Sequence, residues 1–133
     1  MKIVRFETEH TQASYGWIDE DKVGVIQGDP YGEFRRYDPE FSLAQVRLLV
    51  PCTPSKIIAV GRNYEEHIRE MNQTPPEIPL LFLKPSSTLI RSGDPISLPP
   101  QSERVEHEAE LAVVIRKKSR WLRPETVRDA IYG

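Results

Sequence analysis

The stretch VEHEAELAVVI at residues 105–115 decides the fold that we expect for this chain. Its second half is β-branched and apolar, with prolines upstream and basic residues downstream, which predicts a β-strand. Successive side chains of a strand point to opposite faces, so Glu108 and Glu110 share a face with Ala112 and Val114. That face turns apolar beyond the carboxylates. We therefore expect Glu108 and Glu110 to lie at the border of a core.

Two carboxylates at such a border predict a bound cation. Residues two apart on a strand are ~6.6 Å apart, a distance over which two glutamate side chains can converge. In a reduced dielectric they repel each other unless a cation lies between them. Because His107 is on the opposite face, the donors are carboxylate oxygens, which suit Mg²⁺, Mn²⁺ or Ca²⁺ better than zinc. The alternative is a half-exposed strand whose glutamates are merely solvated.

Length and composition limit the classes of protein to which the chain can belong. The chain has 133 residues, 38% hydrophobic and 29% charged, as expected of a soluble globular protein. Its net charge of −2 and dispersed basic residues argue against a nucleic-acid partner. No apolar run approaches the ~20 residues that span a membrane, so we expect no membrane partner. The single cysteine, Cys52, suits a reducing compartment, and we expect a cytoplasmic location.

The pattern of short strands and proline-rich connections predicts an α+β chain that is mostly β. Residues 1–50 read as a small N-terminal β domain with strands at 2–6, 13–18 and 22–26, and Ser42 as the cap of a short helix. Residues 51–133 read as a second domain. In it, buried strands are expected at 57–60 and 80–83, and a helix beginning at Pro124 is expected near the end.

A short helix after Gly61 carries a candidate catalytic pair. Asn63 is the predicted N-cap, and His67 then lies on the helix face turned toward the body of the protein. Glu70, one turn later, can reach the imidazole and orient it. The alternative is an ordinary buried histidine bonded to a carbonyl. The expected inward face consists of Tyr64, His67, Ile68 and Met71.

Three further side chains are candidates for substrate binding. Arg62 and Asn63 stand where a strand, a glycine turn and a helix N-terminus meet, a place where backbone N–H groups attract an anion. Lys84 ends the second buried strand and could face a substrate carboxylate. The alternative for Lys84 is a lysine that leaves a strand for solvent.

Three ordered motifs resemble the fumarylacetoacetate hydrolase family. They are SKIIAVGRNYEEH at 55–67, LFLKP at 81–85 and EHEAELAVVI at 106–115. The likeness is closer to the branch of fumarylpyruvate hydrolases, oxaloacetate decarboxylases and homoprotocatechuate-pathway isomerase/decarboxylases. It covers about residues 54–133, and the first 50 residues resemble the small N-terminal β domain of that branch.

The resemblance implies a fold and a chemistry. The fold is a mixed β-roll around Mg²⁺ or Mn²⁺, bound through the positions of Glu108 and Glu110 and by one later aspartate. His67 and Glu70 match the pair that activates water. The expected function is a divalent-metal-dependent hydrolase or decarboxylase acting on carbon–carbon bonds of 2-oxo acids or acylpyruvates. The alternatives are an isomerase of unsaturated dicarboxylates and a non-catalytic β module or half of a split enzyme.

The resemblance also implies that part of the site lies elsewhere. Chains of the family continue past the position that corresponds to Gly133 and there supply the third metal carboxylate and further substrate contacts. The 51–133 domain is therefore expected to be only the first part of the family's catalytic domain. We expect the chain to be a truncated or split form, or its site to be completed by another chain. A homodimer is the other expected assembly.

Overall fold

Antiparallel strands dominate the structure, a computed structural model that describes residues 1–133. This confirms the expectation of a mostly β chain. The first compact unit contains Met1–Cys52 and Arg91–Gly133, and the second contains Thr53–Ile90. The division into domains at residue 50 stays a prediction. No helix in the structure combines the length and the apolar character needed to cross a bilayer.

The first unit is built on a six-stranded antiparallel sheet. Its strand order is β4-β3-β2-β1-β6, with β5 also paired to β3. The three strands predicted near the N-terminus are confirmed as β1, β2 and β3. The bounds are β1 Lys2–Thr8, β2 Thr11–Asp19, β3 Lys22–Gly28, β4 Phe34–Arg36, β5 Phe41–Ser42 and β6 Arg47–Leu49.

A small apolar core holds this sheet together. Phe6 is 1% exposed and Val23 is fully buried. The ring of Phe6 lies 5.7 Å from that of Phe41, measured between centroids. A Cβ atom at Gly16 would stand 2.7 Å from the Phe6 ring, so only glycine lets β2 pass so close to it.

The predicted cap at Ser42 is present, although the segment after it is shorter than expected. Ser42 accepts a hydrogen bond from the Ala44 backbone N–H at 3.3 Å and starts a 3₁₀ turn, Leu43–Gln45. Val46 is extended, and β6 follows at once because its backbone pairs with β1. Pairing of β6 with β1 thus limits the predicted helix to a single 3₁₀ turn.

The end of the chain joins the same unit. Ile115 and Ile131 form an isolated antiparallel bridge, and the Tyr132 N–H donates to the Val114 carbonyl at 2.7 Å. A 3₁₀ helix, Val127–Ala130, stands where a helix starting at Pro124 was predicted, and Ala130 is 1% exposed. The helix therefore starts three residues later than predicted and has only four residues.

The second unit contains a β-hairpin and the only α-helix. Strands β7, Ile57–Gly61, and β8, Leu80–Lys84, pair antiparallel, which confirms that both segments are strands. Their predicted burial is wrong, because no residue of β7 is buried and all of β8 is exposed. Helix α1 spans Glu65–Glu70 between them. Within α1 only Ile68 is buried, at 5% exposure.

The strand predicted at 105–115 is not formed. Beyond the bridge at Ile115, no strand of this chain pairs with the stretch, and residues 105–113 are exposed. A strand is stable only where a neighbour accepts and donates its backbone hydrogen bonds. The β-forming composition of the stretch is therefore not sufficient, and the expected core border at Glu110 is wrong for this structure.

Candidate functional site

His67 and Glu70 lie side by side on α1. The Nδ1 atom of His67 is 3.5 Å from Oε2 of Glu70, the i,i+3 relation that one helical turn produces. Both side chains are at least half exposed, so the expectation that His67 faces the interior is wrong. The physical reason is that α1 has only six residues and packs against the protein through Ile68 alone, so His67 is not buried with it. An accessible imidazole beside a carboxylate can accept a proton from a small molecule.

The start of α1 differs from the predicted cap. Arg62 has a left-handed φ of 53° and turns the chain, so the helix begins at Glu65 with Tyr64 at the N-cap. Asn63 therefore does not cap the helix, and no side chain does. Glu65 and Glu66 instead place negative charge in the first turn, where it interacts favourably with the helix dipole. Arg62 and Asn63 are both exposed beside this turn.

Lys84 is exposed at the end of β8. Its Nζ lies 5.9 Å from the centre of the Phe82 ring, close enough for a weak cation–π contact. The ammonium group remains open to water and to an anionic ligand. The roles of Arg62, Asn63 and Lys84 in binding a substrate stay predictions.

The carboxylates of Glu108 and Glu110 belong to the first unit, in the exposed stretch before the Ile115 bridge. The chemistry of these donors fits a hard divalent cation, since both are carboxylates. The number of donors does not fit such a cation, because the structure contains no group of three or more His, Cys, Asp or Glu side chains able to hold a metal ion. The roles of Glu108 and Glu110 as metal ligands stay predictions.

The structure brings together one of the predicted pairs. His67 and Glu70 are adjacent, with Arg62, Asn63 and Lys84 in the same compact unit. Glu108 and Glu110 lie in the other unit. Glu106 is an exposed residue that forms an ion pair with Arg104 at 2.6 Å.

A cluster of tyrosines in the first unit was not predicted. The hydroxyl groups of Tyr15 and Tyr31 are 3.2 Å apart, and the ring of Tyr132 lies 4.6 Å from that of Tyr31. Burial raises the pKa of both Tyr31 and Tyr132. The three residues come from β2, a turn and the chain end, so no local sequence pattern could have indicated that they meet.

Comparison with known proteins gives two matches along the chain. A family model described as fumarylacetoacetate (FAA) hydrolase, C-terminal, matches residues 56–133. A second model, described as Rv2993c-like, N-terminal, matches residues 1–51. Together they account for nearly the whole sequence.

Two similar sequences and one solved structure illustrate the likeness. An uncharacterized protein of Archaeoglobus fulgidus is 47% identical over 103 residues, which are 77% of this chain and 41% of that protein. A mitochondrial oxaloacetate tautomerase of Xenopus laevis is 41% identical over 93 residues, 69% of this chain and 29% of that protein. The crystal structure of 5-carboxymethyl-2-hydroxymuconate delta-isomerase from Mycobacterium smegmatis superposes with a TM-score of 0.83 at 32% identity, covering 100% of this chain and 52% of that one. The chain thus spans about half the length of that solved relative and less than half of the two curated ones.

Proposed function

Because the chain belongs to the fumarylacetoacetate hydrolase family, we propose that it contributes to an enzyme that moves a proton on an enolisable 2-oxo acid. Tautomerisation of oxaloacetate and isomerisation of a hydroxymuconate, the reactions named for its relatives, share one requirement. Each moves a proton on or off a carbon conjugated with a 2-oxo or enol group. The observation that carries the proposal is the adjacent pair of His67 and Glu70 on α1.

In this proposal His67 is the general base and acid. Its half-exposed imidazole can take a proton from the carbon beside the 2-oxo group and return it to another atom of the same substrate. Glu70, 3.5 Å from Nδ1, holds the ring in one orientation. Glu70 therefore acts as a positioning residue.

Glu108 and Glu110 contribute carboxylates to a divalent-metal site that further ligands complete. Mg²⁺, Mn²⁺ or Ca²⁺ is the proposed ion, because all the donors offered by this chain are oxygen atoms. When bound, such an ion stabilises the negative charge that develops on the oxygen of an enolising 2-oxo acid. Arg62, Asn63 and Lys84 are proposed to bind the carboxylates of the substrate, and their exposure leaves them open to it.

The test is divalent-ion dependence combined with matched substitutions in the acidic stretch. We expect Mg²⁺ or Mn²⁺ to accelerate the conversion of enol-oxaloacetate to its keto form and Glu110→Gln to abolish that acceleration. Glu106→Gln is the control, since Glu106 is already paired with Arg104. Titration calorimetry with Mg²⁺ or Mn²⁺ in the absence of substrate measures metal binding separately from turnover. Equal metal binding by wild type and Glu110→Gln contradicts the proposal.

Hydrolysis or decarboxylation of 2-oxo acids is the second candidate. It is supported by the family to which the chain belongs, since carbon–carbon cleavage next to a 2-oxo group passes through the same kind of enolate. Product analysis distinguishes the candidates. Carbon dioxide from oxaloacetate, or two acids from an acylpyruvate, indicates cleavage, whereas a tautomerase returns a product of unchanged mass.

A non-catalytic role is the third candidate. The two-carboxylate donor set favours it for the chain alone, because the structure assembles no group of three metal ligands. A folded sample that binds no divalent ion and accelerates no proton transfer supports this candidate over the other two.

A further inference from the structure

A strongly basic loop follows the bridge at Ile115. Residues 116–123 read RKKSRWLR, so that five of the eight are lysine or arginine and none is acidic. All eight are exposed. None of the five cationic side chains forms an ion pair with a carboxylate of this chain. We call residues 116–123 the basic loop.

The exposure of the basic loop follows from its own composition. Burying a lysine or arginine side chain without a compensating anion is costly, because the charge loses its hydration. A segment that packs over neighbouring apolar strands therefore does not take five such side chains into a core. The basic loop faces the surroundings of the protein whatever covers the rest of it.

Backbone contacts fix the base of the loop. The Arg116 N–H donates to the Ala130 carbonyl at 2.9 Å, next to the bridge between Ile115 and Ile131. The Arg116 guanidinium donates to the Asp129 carbonyl at 3.1 Å. Residues 117–125, between these anchored ends, are all exposed and contain neither a helix nor a strand. The loop is thus held at its base and free at its surface.

The basic loop also carries an exposed apolar pair. Trp121 is 85% exposed, more than any other large hydrophobic residue of the chain, and Leu122 next to it is 41% exposed. The φ of Trp121 is 56°, a left-handed conformation that bulky residues rarely adopt. The Arg120 guanidinium lies 5.1 Å from the centre of the indole ring. A tryptophan beside basic residues is typical of a membrane–water interface, where its ring is apolar and its N–H stays wet.

Three classes of anionic partner bind basic surfaces, and the loop fits one of them best. Proteins that bind single-stranded nucleic acid stack successive bases on several aromatic side chains, whereas this loop has one. Peptides bind in grooves or along free strand edges, and residues 117–125 form no strand. The surface of an anionic bilayer requires only clustered positive charge and a short apolar projection. The basic loop offers both.

We propose that the basic loop binds the surface of an anionic lipid bilayer. Its lysines and arginines contact the lipid phosphates, and Trp121 and Leu122 enter the headgroup region. Such binding requires no spanning segment, so it revises the expectation of no membrane partner, which the lack of a long apolar run had suggested. Outside the loop acidic residues outnumber basic ones, which confines the contact to the loop. The proposal is independent of the reaction proposed above.

The experiment measures sedimentation of the full chain with vesicles of phosphatidylglycerol and phosphatidylcholine. The double variant Lys117→Gln/Lys118→Gln tests the charge. Its matched control is Lys2→Gln/Lys56→Gln, which removes two exposed lysines elsewhere in the chain. We expect at least ~10-fold weaker partitioning for the first variant and near wild-type partitioning for the control. Added salt should weaken binding of the wild type, since the attraction is between exposed charges.

A second pair of variants tests the apolar part of the contact. Trp121→Ala should lower partitioning by ~5-fold or more and abolish a blue shift of tryptophan emission on binding. Ile78→Ala is the control, because Ile78 is 77% exposed and lies outside the loop. All four variants change exposed side chains and should remain folded, which circular dichroism checks.

Several results would overturn the proposal. They are equal binding to vesicles of phosphatidylcholine alone, no binding to either kind of vesicle, and a loop variant that partitions like its control. Tighter binding to a thymidine oligonucleotide or to polyglutamate than to the anionic vesicles, at the same salt concentration, would assign the loop to another class of partner.

Discussion

The ring of Tyr132 packs on the ring of Tyr31 with centroids 4.6 Å apart and planes inclined by 56°. The Tyr132 hydroxyl is buried and has no hydrogen-bond partner, whereas the Tyr31 hydroxyl is 3.2 Å from that of Tyr15. Of the two packed rings, Tyr31 therefore has a hydrogen-bonded hydroxyl and Tyr132 does not. A buried donor without a partner costs ~1–3 kcal/mol.

This difference predicts opposite effects of the same substitution. Tyr132→Phe removes an unsatisfied group and keeps the ring contact, so the free energy of unfolding should stay unchanged or rise by up to ~1 kcal/mol. Tyr31→Phe removes a hydrogen bond and should lower it by ~0.5–1.5 kcal/mol. Urea denaturation of both variants checks the prediction. A larger loss of stability for Tyr132→Phe than for Tyr31→Phe would contradict it.

The ion pair between Arg91 and Asp94 predicts a loss of stability in acid. The Arg91 guanidinium donates to both carboxylate oxygens of Asp94, at 3.0 and 3.1 Å, and holds the pKa of that carboxyl below its usual 3.8. A lowered folded-state pKa means that the stabilisation is present above the unfolded pKa and is lost as pH falls through the folded one. We therefore expect Asp94→Asn to reduce Tm at pH 7 and to differ little from wild type well below pH 3.8.

Thermal melts of both proteins across this range provide the measurement. Glu125 is an exposed carboxylate outside this ion pair, so Glu125→Gln is the control. Its Tm should equal that of wild type at every pH in the range. A constant difference between Asp94→Asn and wild type from pH 7 to pH 2 would show that the carboxylate acts through something other than its charge.

Gly24 on β3 predicts a steric effect. A Cβ atom at this position would stand 2.5 Å from Nε1 of Trp17 and 2.5 Å from the Tyr37 carbonyl, which are themselves hydrogen-bonded at 3.0 Å. Gly24→Ala should therefore disrupt that bond and cost ~1–3 kcal/mol of stability. Gly133→Ala is the control, because no atom lies within 4 Å of the added methyl group. Tryptophan fluorescence during urea unfolding follows both variants, and equal midpoints would refute the steric argument.

The pair on α1 predicts a separation of catalysis from metal binding. If His67 transfers the proton, His67→Gln should lower kcat by ~10²–10⁴-fold while calorimetric binding of Mn²⁺ is unchanged. Glu70→Gln should have a smaller effect and shift the pH profile of kcat, since Glu70 only positions the ring. Glu66→Gln, a carboxylate on the same helix, is the matched control. Equal losses for Glu66→Gln and Glu70→Gln would rule out the positioning role.

The sequence predicts best those elements whose partners lie close by in the chain. Strands β1 to β3 follow one another through short turns, and the Ser42 cap depends on an amide two residues away. The strands β7 and β8 were likewise predicted from short apolar runs next to a glycine or proline, although neither is buried as that pattern implies. In each case local chemistry and the pairing partner favour the same structure.

The predictions that fail concern structure that depends on distant groups. The stretch at 105–115 has the composition of a strand, but a strand also needs a neighbour, and none in this chain pairs with it beyond Ile115. His67 fits an inward helical face, yet α1 has only six residues and buries only Ile68. Tyr15, Tyr31 and Tyr132 meet through the sheet topology, which spacing along the chain does not encode.

The order of the strands along the chain also bears on synthesis at the ribosome. Every strand of the six-stranded sheet is complete at Leu49, before the first residue of the hairpin is translated. That sheet can mature on the nascent chain while later segments are still being added. The exposed apolar side chains of β7 and β8 are translated afterwards. We therefore expect chaperones to bind late translation intermediates more than early ones.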